Sequence, residues 1–91
     1  MINESFKERN IKLIKKYEIL SKKINFDKNI LEFLEKYDQF DIDLLEKYLI
    51  KFKEYKNQIL MISHKNDEVI FYDEIIFFIN DLIMDKIISN I

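Results

Sequence analysis

The stretch DIDLLEKYLIKFKEYKNQILMISH, residues 41–64, decides the fold. Its bulky apolar residues are separated by alternating steps of three and four positions: Leu45, Tyr48, Phe52, Tyr55, Ile59 and Ile62. That spacing keeps all of them on one face of an α-helix. Asp41 stands where an N-cap residue accepts hydrogen bonds from the first free backbone amides. The stretch therefore predicts an amphipathic helix that begins at about residue 41 and ends near residue 64.

Two further helical patterns precede this stretch. Residues 4–24 repeat apolar side chains at helical spacing, and either Ser5 or Asn3 can cap the start of that helix. Residues 27–38 begin with Asp27 at the cap position. We expect a break between this short helix and the next, because both begin with the same Phe-Asp pair of staple and cap residues. The alternative is one long bent helix that continues through residues 38–40.

The composition of the whole chain supports a helical fold. The 91 residues include no glycine and no proline, the residues that tight β-turns most often require. A chain of this length forms one domain, 1–91, and helices joined by short loops run antiparallel. The sequence therefore predicts an all-α, small antiparallel up-and-down four-helix bundle with helices at about 4–24, 27–38, 41–64 and 68–90, the second of them short. The structural alternative is a pair of helical hairpins completed by dimerisation.

Charge is distributed unevenly along the chain, although the net charge is only −2. Residues 1–24 hold seven basic and three acidic side chains, whereas residues 67–91 hold one lysine and six acidic side chains. Exposed ion pairs contribute only about 0–1 kcal/mol each, so they select an arrangement more than they stabilise it. We expect the first and last helices to lie side by side.

The last helix carries more apolar surface than one helix face can hold. One broad stripe consists of Tyr72, Ile75, Ile76, Ile79, Leu82, Ile83 and Ile87. A second stripe, with a residue at every seventh position and with Asp73, Asp81 and Asp85 around it, consists of Ile70, Phe77, Met84 and Ile91. A helix that is apolar nearly all round is either buried at the centre of its own bundle or covered by a second molecule. Three arrangements follow: a central helix, a homodimer, and a surface for a different protein.

Few residues with catalytic chemistry are present. The chain has no cysteine and a single histidine, His64, which lies near a predicted helix end. Thiol chemistry and zinc sites built from cysteine or several histidines are therefore excluded. Asp41 and Asp43 form a carboxylate pair that helix capping explains. We expect no enzyme activity, no catalytic residue, no metal site and no cofactor.

The most apolar stretch, residues 69–88, contains five charged side chains, which argues against a membrane helix. The N-terminal residues are polar and lack the apolar segment of a signal peptide. The sequence therefore predicts a cytoplasmic protein that does not enter the membrane.

These observations favour a non-enzymatic protein-binding module, such as a small inhibitor, immunity or mobile-element accessory protein that occludes a surface of another protein. The partner, often a basic protein, would be anchored by the apolar residues Ile70, Phe77 and Met84. It would be oriented by the acidic residues Asp73, Asp81 and Asp85. One alternative is a nucleic-acid-associated protein that uses the lysine-rich first helix, with the contacts made by Lys12, Lys15, Lys16, Lys22 and Lys23. Another is a structural subunit of a larger assembly.

Overall fold

A computed structural model of the chain describes residues 5–62 and 67–89. These residues form four α-helices and one 3-10 turn, in the order α1 (Phe6–Leu20), α2 (Lys28–Lys36), the turn (Tyr37–Gln39), α3 (Ile42–Ile62) and α4 (Asp67–Ser89). The all-α four-helix fold and its short second helix are confirmed. The predictions for Asn3, His64 and Ile91 lie outside the described residues.

Contacts between charged side chains fix the direction of α1 against α4. Arg9 forms an ion pair with Asp81 at 2.7 Å, and Lys16 forms one with Glu74 at 2.6 Å. Moving forward along α1 therefore means moving backward along α4, so the two helices are antiparallel. The prediction that the basic and acidic ends of the chain pair side by side is confirmed.

On its other side, α4 packs antiparallel to α3. Lys56 contacts Asp73, while at the far end of the two helices Asp43 and Asp85 line the same surface cavity. Asn10 of α1 contacts Leu34 of α2, whereas Tyr17 of α1 contacts Phe26 just before α2, so α1 and α2 are also antiparallel. Because α1 and α3 both run antiparallel to α4 as well, successive helices alternate in direction. The bundle thus has the expected up-and-down order, with α4 between α1 and α3.

The short helix α2 completes the bundle through aromatic side chains. The Phe33 ring is fully buried, and its centroid lies 5.7 Å from that of Phe52 in α3 and 6.3 Å from that of Phe78 in α4. Complete burial of a large apolar side chain contributes roughly 1.5–3 kcal/mol. Four phenylalanines are wholly enclosed in this way and form the centre of the core: Phe33, Phe52, Phe71 and Phe78.

A buried polar contact fixes α1 against the end of α2. The Asn10 side chain is buried, and its Nδ2 donates a hydrogen bond of 2.8 Å to the backbone carbonyl of Leu34. Carbonyls in the last turn of a helix lack partners within that helix. The one polar position in the apolar pattern of α1 therefore caps a neighbouring helix.

The helix starts follow the capping residues read from the sequence. Ser5 Oγ accepts from the Glu8 amide at 3.1 Å, which identifies Ser5 as the cap of α1. Carboxylate oxygens do the same at the starts of α2 and α3: Asp27 accepts from Asn29 N and Asp41 accepts from Leu44 N, each at 2.9 Å. These bonds satisfy amides that have no partner within the helix.

The first helix is shorter than the sequence predicted, because it ends at Leu20 rather than at residue 24. The Ser21 hydroxyl donates to the carbonyl of Glu18, and the Lys23 amide donates to the carbonyl of Leu20, three residues back. Such bonds tighten the chain and end an α-helix. Lys22 and Lys23 therefore lie in a turn, and their placement on the first helix was wrong.

Two isoleucines assigned to apolar helix faces are exposed at the ends of the α3–α4 pair. Ile62 was the last residue of the periodic pattern in α3, and Ile87 belonged to the broad stripe of α4. The antiparallel register that joins Lys56 to Asp73 places each of them level with the first turn of the neighbouring helix. Within residues 5–62 and 67–89, little neighbouring chain remains there to cover them.

Candidate protein-binding surface

Helix α4 has a buried face and an exposed apolar face. The buried face consists of Val69, Phe71, Tyr72, Ile75, Ile76, Phe78, Ile79, Leu82 and Ile83. On the opposite side, Ile70, Phe77, Met84 and Ile88 retain 57%, 65%, 55% and 62% of their solvent exposure. We call these four residues the outer stripe. The arrangement in which the chain's own helices bury the whole of α4 is therefore wrong.

Two adjacent phenylalanines show how sharply the two faces differ. Phe77 is mostly exposed, whereas the next residue, Phe78, is completely buried. The Phe78 ring lies 5.5 Å from Tyr37 and 6.0 Å from Phe6, measured between ring centroids. Since each residue of an α-helix is rotated by about 100° from the one before it, neighbouring side chains point to different faces. The fold leaves Phe77 no position in the core.

The outer stripe is long and narrow. Residues 70 and 88 are separated by about 27 Å along a straight helix at a rise of about 1.5 Å per residue. At roughly 200 Å² for a large side chain, the exposed fractions of these four residues leave about 500 Å² of apolar surface in the stripe. The largest apolar patch of a typical monomer is about 300–600 Å², and such patches are often functional.

Ion pairs border the outer stripe on the α1 side. Lys16 Nζ lies 2.6 Å from both carboxylate oxygens of Glu74, and Arg9 pairs with Asp81. The Arg9 guanidinium also lies 5.2 Å from the centre of the Phe78 ring, a cation–π geometry. Arg9 and Lys16 thus balance the negative charge along this edge.

On the α3 side, Lys56 pairs with Asp73 in the same way. Of the three acidic residues predicted to orient a partner, Asp73 and Asp81 therefore already contact basic residues of their own chain, and Asp85 is exposed near the end of α4. Their role towards a partner stays a prediction. The pairing reduces the negative charge that a basic partner would meet at the middle of the stripe.

The five lysines considered for nucleic-acid binding do not share one helix. Lys12, Lys15 and Lys16 lie on α1, but Lys22 and Lys23 belong to the following turn. Lys16 is engaged by Glu74. The structure thus separates the basic set that the sequence grouped together, and binding of nucleic acid stays untested.

Apolar surface continues from the outer stripe onto α1. Ile19 is exposed, and it lines a cavity of about 170 Å³ together with Leu20, Ile70 and Phe71, with Lys16 and Glu74 at the edge. Neither Ile19 nor Ile88 is among the surface residues predicted from the sequence. Ile88 follows Met84 by four residues, so the helical spacing of the stripe could have identified it.

Two of the shifted pKa values belong to the packed side of α4. Burial raises the pKa of Tyr72, and the nearby carboxylate of Glu68 adds to the effect. Burial also raises the pKa of Glu68 itself. Both shifts arise from the close packing of this face, and neither residue belongs to the outer stripe.

Over residues 5–62 and 67–89 we find no cluster of three or more histidine, cysteine or acidic side chains able to hold a metal ion.

Comparisons with protein-family models, with curated proteins and with solved structures found no match for this chain. Within the part of the chain that the structure describes, each helix is too short or too polar to cross a membrane.

Proposed function

We propose that this protein is a non-enzymatic protein-binding module whose binding surface is the outer stripe of α4. One observation carries the proposal: four large apolar side chains of a single helix remain more than half exposed although nine other residues of that helix are buried. A helix in a monomer needs only one apolar face. The second face is accounted for if another protein covers it.

The surface is large enough for useful affinity. At about 25 cal/mol per Å², covering about 500 Å² of apolar surface gives roughly 12 kcal/mol before the costs of association. These costs start at about 4 kcal/mol, and a micromolar complex requires about 8 kcal/mol net. The apolar contact alone therefore supports a micromolar complex when these costs are small.

Phe77 is the natural anchor of such a complex. It lies midway between Ile70 and Met84, and the residues that dominate binding energy concentrate at the centre of an interface. The opposite face of α4 belongs to the hydrophobic core, so the fold itself holds the stripe at the surface. Binding in this manner blocks whatever surface of the partner it covers, which is the action of a stoichiometric inhibitor or accessory protein.

Site-specific photo-crosslinking tests the proposal. A photoreactive phenylalanine analogue is placed at position 77 and, as a matched control, at position 50, where Ile50 is 59% exposed on α3. All residues three and four positions from Ile50 are charged, so this apolar side chain stands by itself. We expect discrete protein adducts in cells from position 77 and none from position 50. Equal adduct patterns at both positions, or none at either, would refute the proposal.

A further inference from the structure

We propose that a second copy of this chain covers the outer stripe, with α4 packed antiparallel against α4 and a twofold axis at Phe77. This inference rests on the proposed function, because it names an occupant of the same surface. The dimer and the complex with another protein are mutually exclusive. Self-association therefore sets how much of the binding surface is available at a given concentration.

The spacing of the stripe suits a twofold axis. Ile70 and Met84 each lie seven residues from Phe77, one before it and one after it, and their exposed fractions are nearly equal at 57% and 55%. A twofold interface requires a surface that is complementary to itself. With Phe77 on the axis, each Ile70 meets the Met84 of the second copy, and the two phenylalanines meet at the centre.

The charged edges are complementary in the same arrangement. Along the α1 edge, Asp81 comes beside Glu74 of the second copy, since the two lie four residues after and three residues before the axis. Each brings its own basic partner, Arg9 or Lys16, so two positive and two negative groups meet. Glu74 and Asp81 of this contact therefore each face basic as well as acidic groups. Antiparallel helices also place opposite ends of their dipoles together.

The α3 edge fits as well. Asn80 comes beside Asp73 of the second copy, where its amide can donate to a carboxylate that Lys56 already neutralises in part. Because Asn80 is uncharged, this edge avoids the repulsion that two facing carboxylates would cause.

The exposed area supplies most of the apolar contact that a stable dimer needs. A standard interface buries about 800 Å² on each partner, of which about 60% is apolar. Ile70, Phe77 and Met84 together offer about 350 Å² of apolar surface at roughly 200 Å² per fully exposed side chain. Ile88 is left out of this sum, because in this register it lies level with a position before the start of α4 in the second copy.

Light scattering over a concentration series tests whether the dimer forms through this surface. The intact chain should approach twice its monomer mass of 11.2 kDa as concentration rises. Phe77→Asp and Met84→Asp should remain monomeric, because each places a charge on the covered surface, and Ile50→Asp should dimerise like the original chain. Circular dichroism of each variant serves as the control that it is folded. A monomer at every concentration would overturn the inference, as would a dimer that persists in both stripe variants.

Cysteine pairing tests the antiparallel direction, since the natural chain has no cysteine. Chains carrying Ile70→Cys are mixed with chains carrying Met84→Cys and treated with a short bismaleimide. We expect covalent dimers from the mixture and almost none from either variant alone. Strong self-linking of Ile70→Cys would indicate a parallel dimer and overturn the inference.

The two proposals fail in different ways. If the intact chain is a monomer but position 77 crosslinks to other proteins in cells, the inference about a second copy is wrong and the proposed function stands. If the intact chain is a monomer and position 77 gives no adducts, both are wrong.

Discussion

Replacing Phe78 by alanine should cost far more stability than the same replacement of its neighbour Phe77. Phe78 is fully buried among the rings of Phe6, Phe33 and Tyr37. A buried phenylalanine truncated to alanine costs about 3–5 kcal/mol through lost burial and the cavity that remains. Phe77 projects into solvent, where a substitution changes the free energy of unfolding by about 0.5 kcal/mol or less.

Urea titration followed by far-ultraviolet circular dichroism measures both variants under dilute conditions. A domain of this size has about 5–14 kcal/mol of stability in total, so Phe78→Ala should lose roughly a fifth of it or more. The melting temperature should fall by at least about 12 °C, at roughly 4–8 °C per kcal/mol. The melting temperature of Phe77→Ala should stay within a few degrees of that of the original chain.

The reasoning would be refuted if the two variants lost similar stability, or if Phe77→Ala were the weaker protein. Either result would mean that α4 is rotated about its axis relative to the bundle, which would place the outer stripe inside. Loss of solubility in Phe78→Ala alone fits the account, because the buried residue is the one that holds the core together.

Three further changes test other features of the fold. Asn10→Ala should lower the free energy of unfolding by about 1–3 kcal/mol, because the Leu34 carbonyl loses its only side-chain donor within the described residues; an unchanged urea midpoint would contradict this. Asp41→Ala should cost about 0.5–2 kcal/mol by removing the cap on Leu44 N, and Asp41→Asn should retain most of that stability. Burial raises the pKa of Tyr72 above its ordinary value of 10.0, so above pH 10 the unfolded chain loses a proton that the folded chain keeps. The free energy of unfolding should therefore fall as pH rises above 10, and it should fall about 1.4 kcal/mol per pH unit more steeply in the original chain than in Tyr72→Phe. Equal slopes in the two proteins would exclude this contribution of Tyr72.

The sequence predicted the helices well because the relevant signals are local. Asp27 and Asp41 cap helices through hydrogen bonds to amides two or three residues away, so their function can be read without knowledge of the fold. The apolar spacing of α3 likewise depends only on the helical repeat. The fold departs from the prediction at Ile62 and at the end of α1. Ile62 is exposed because of where the neighbouring helix begins, and α1 ends early because of local hydrogen bonds at Ser21 and Lys23. The spacing of apolar residues reveals neither cause.

The candidate surface was predictable only in part. The sequence shows that Ile70, Phe77 and Met84 share one side of the last helix, but it does not show which side faces the core. That depends on how much surface α1, α2 and α3 can cover. Similarly, Asp73 and Asp81 are visible as acidic residues, whereas their pairing with Lys56 and Arg9 follows from long-range packing.

Fluorine NMR of a single fluorophenylalanine at position 77 tests the central claim most directly, with the same label at position 78 as the control. In dilute solution a soluble gadolinium chelate should strongly broaden the signal from position 77 and leave the signal from position 78 sharp. As concentration rises, the signal from position 77 should become protected while the signal from position 78 does not change. Protection of position 77 at every dilution would place it in the core of the single chain and would contradict the account.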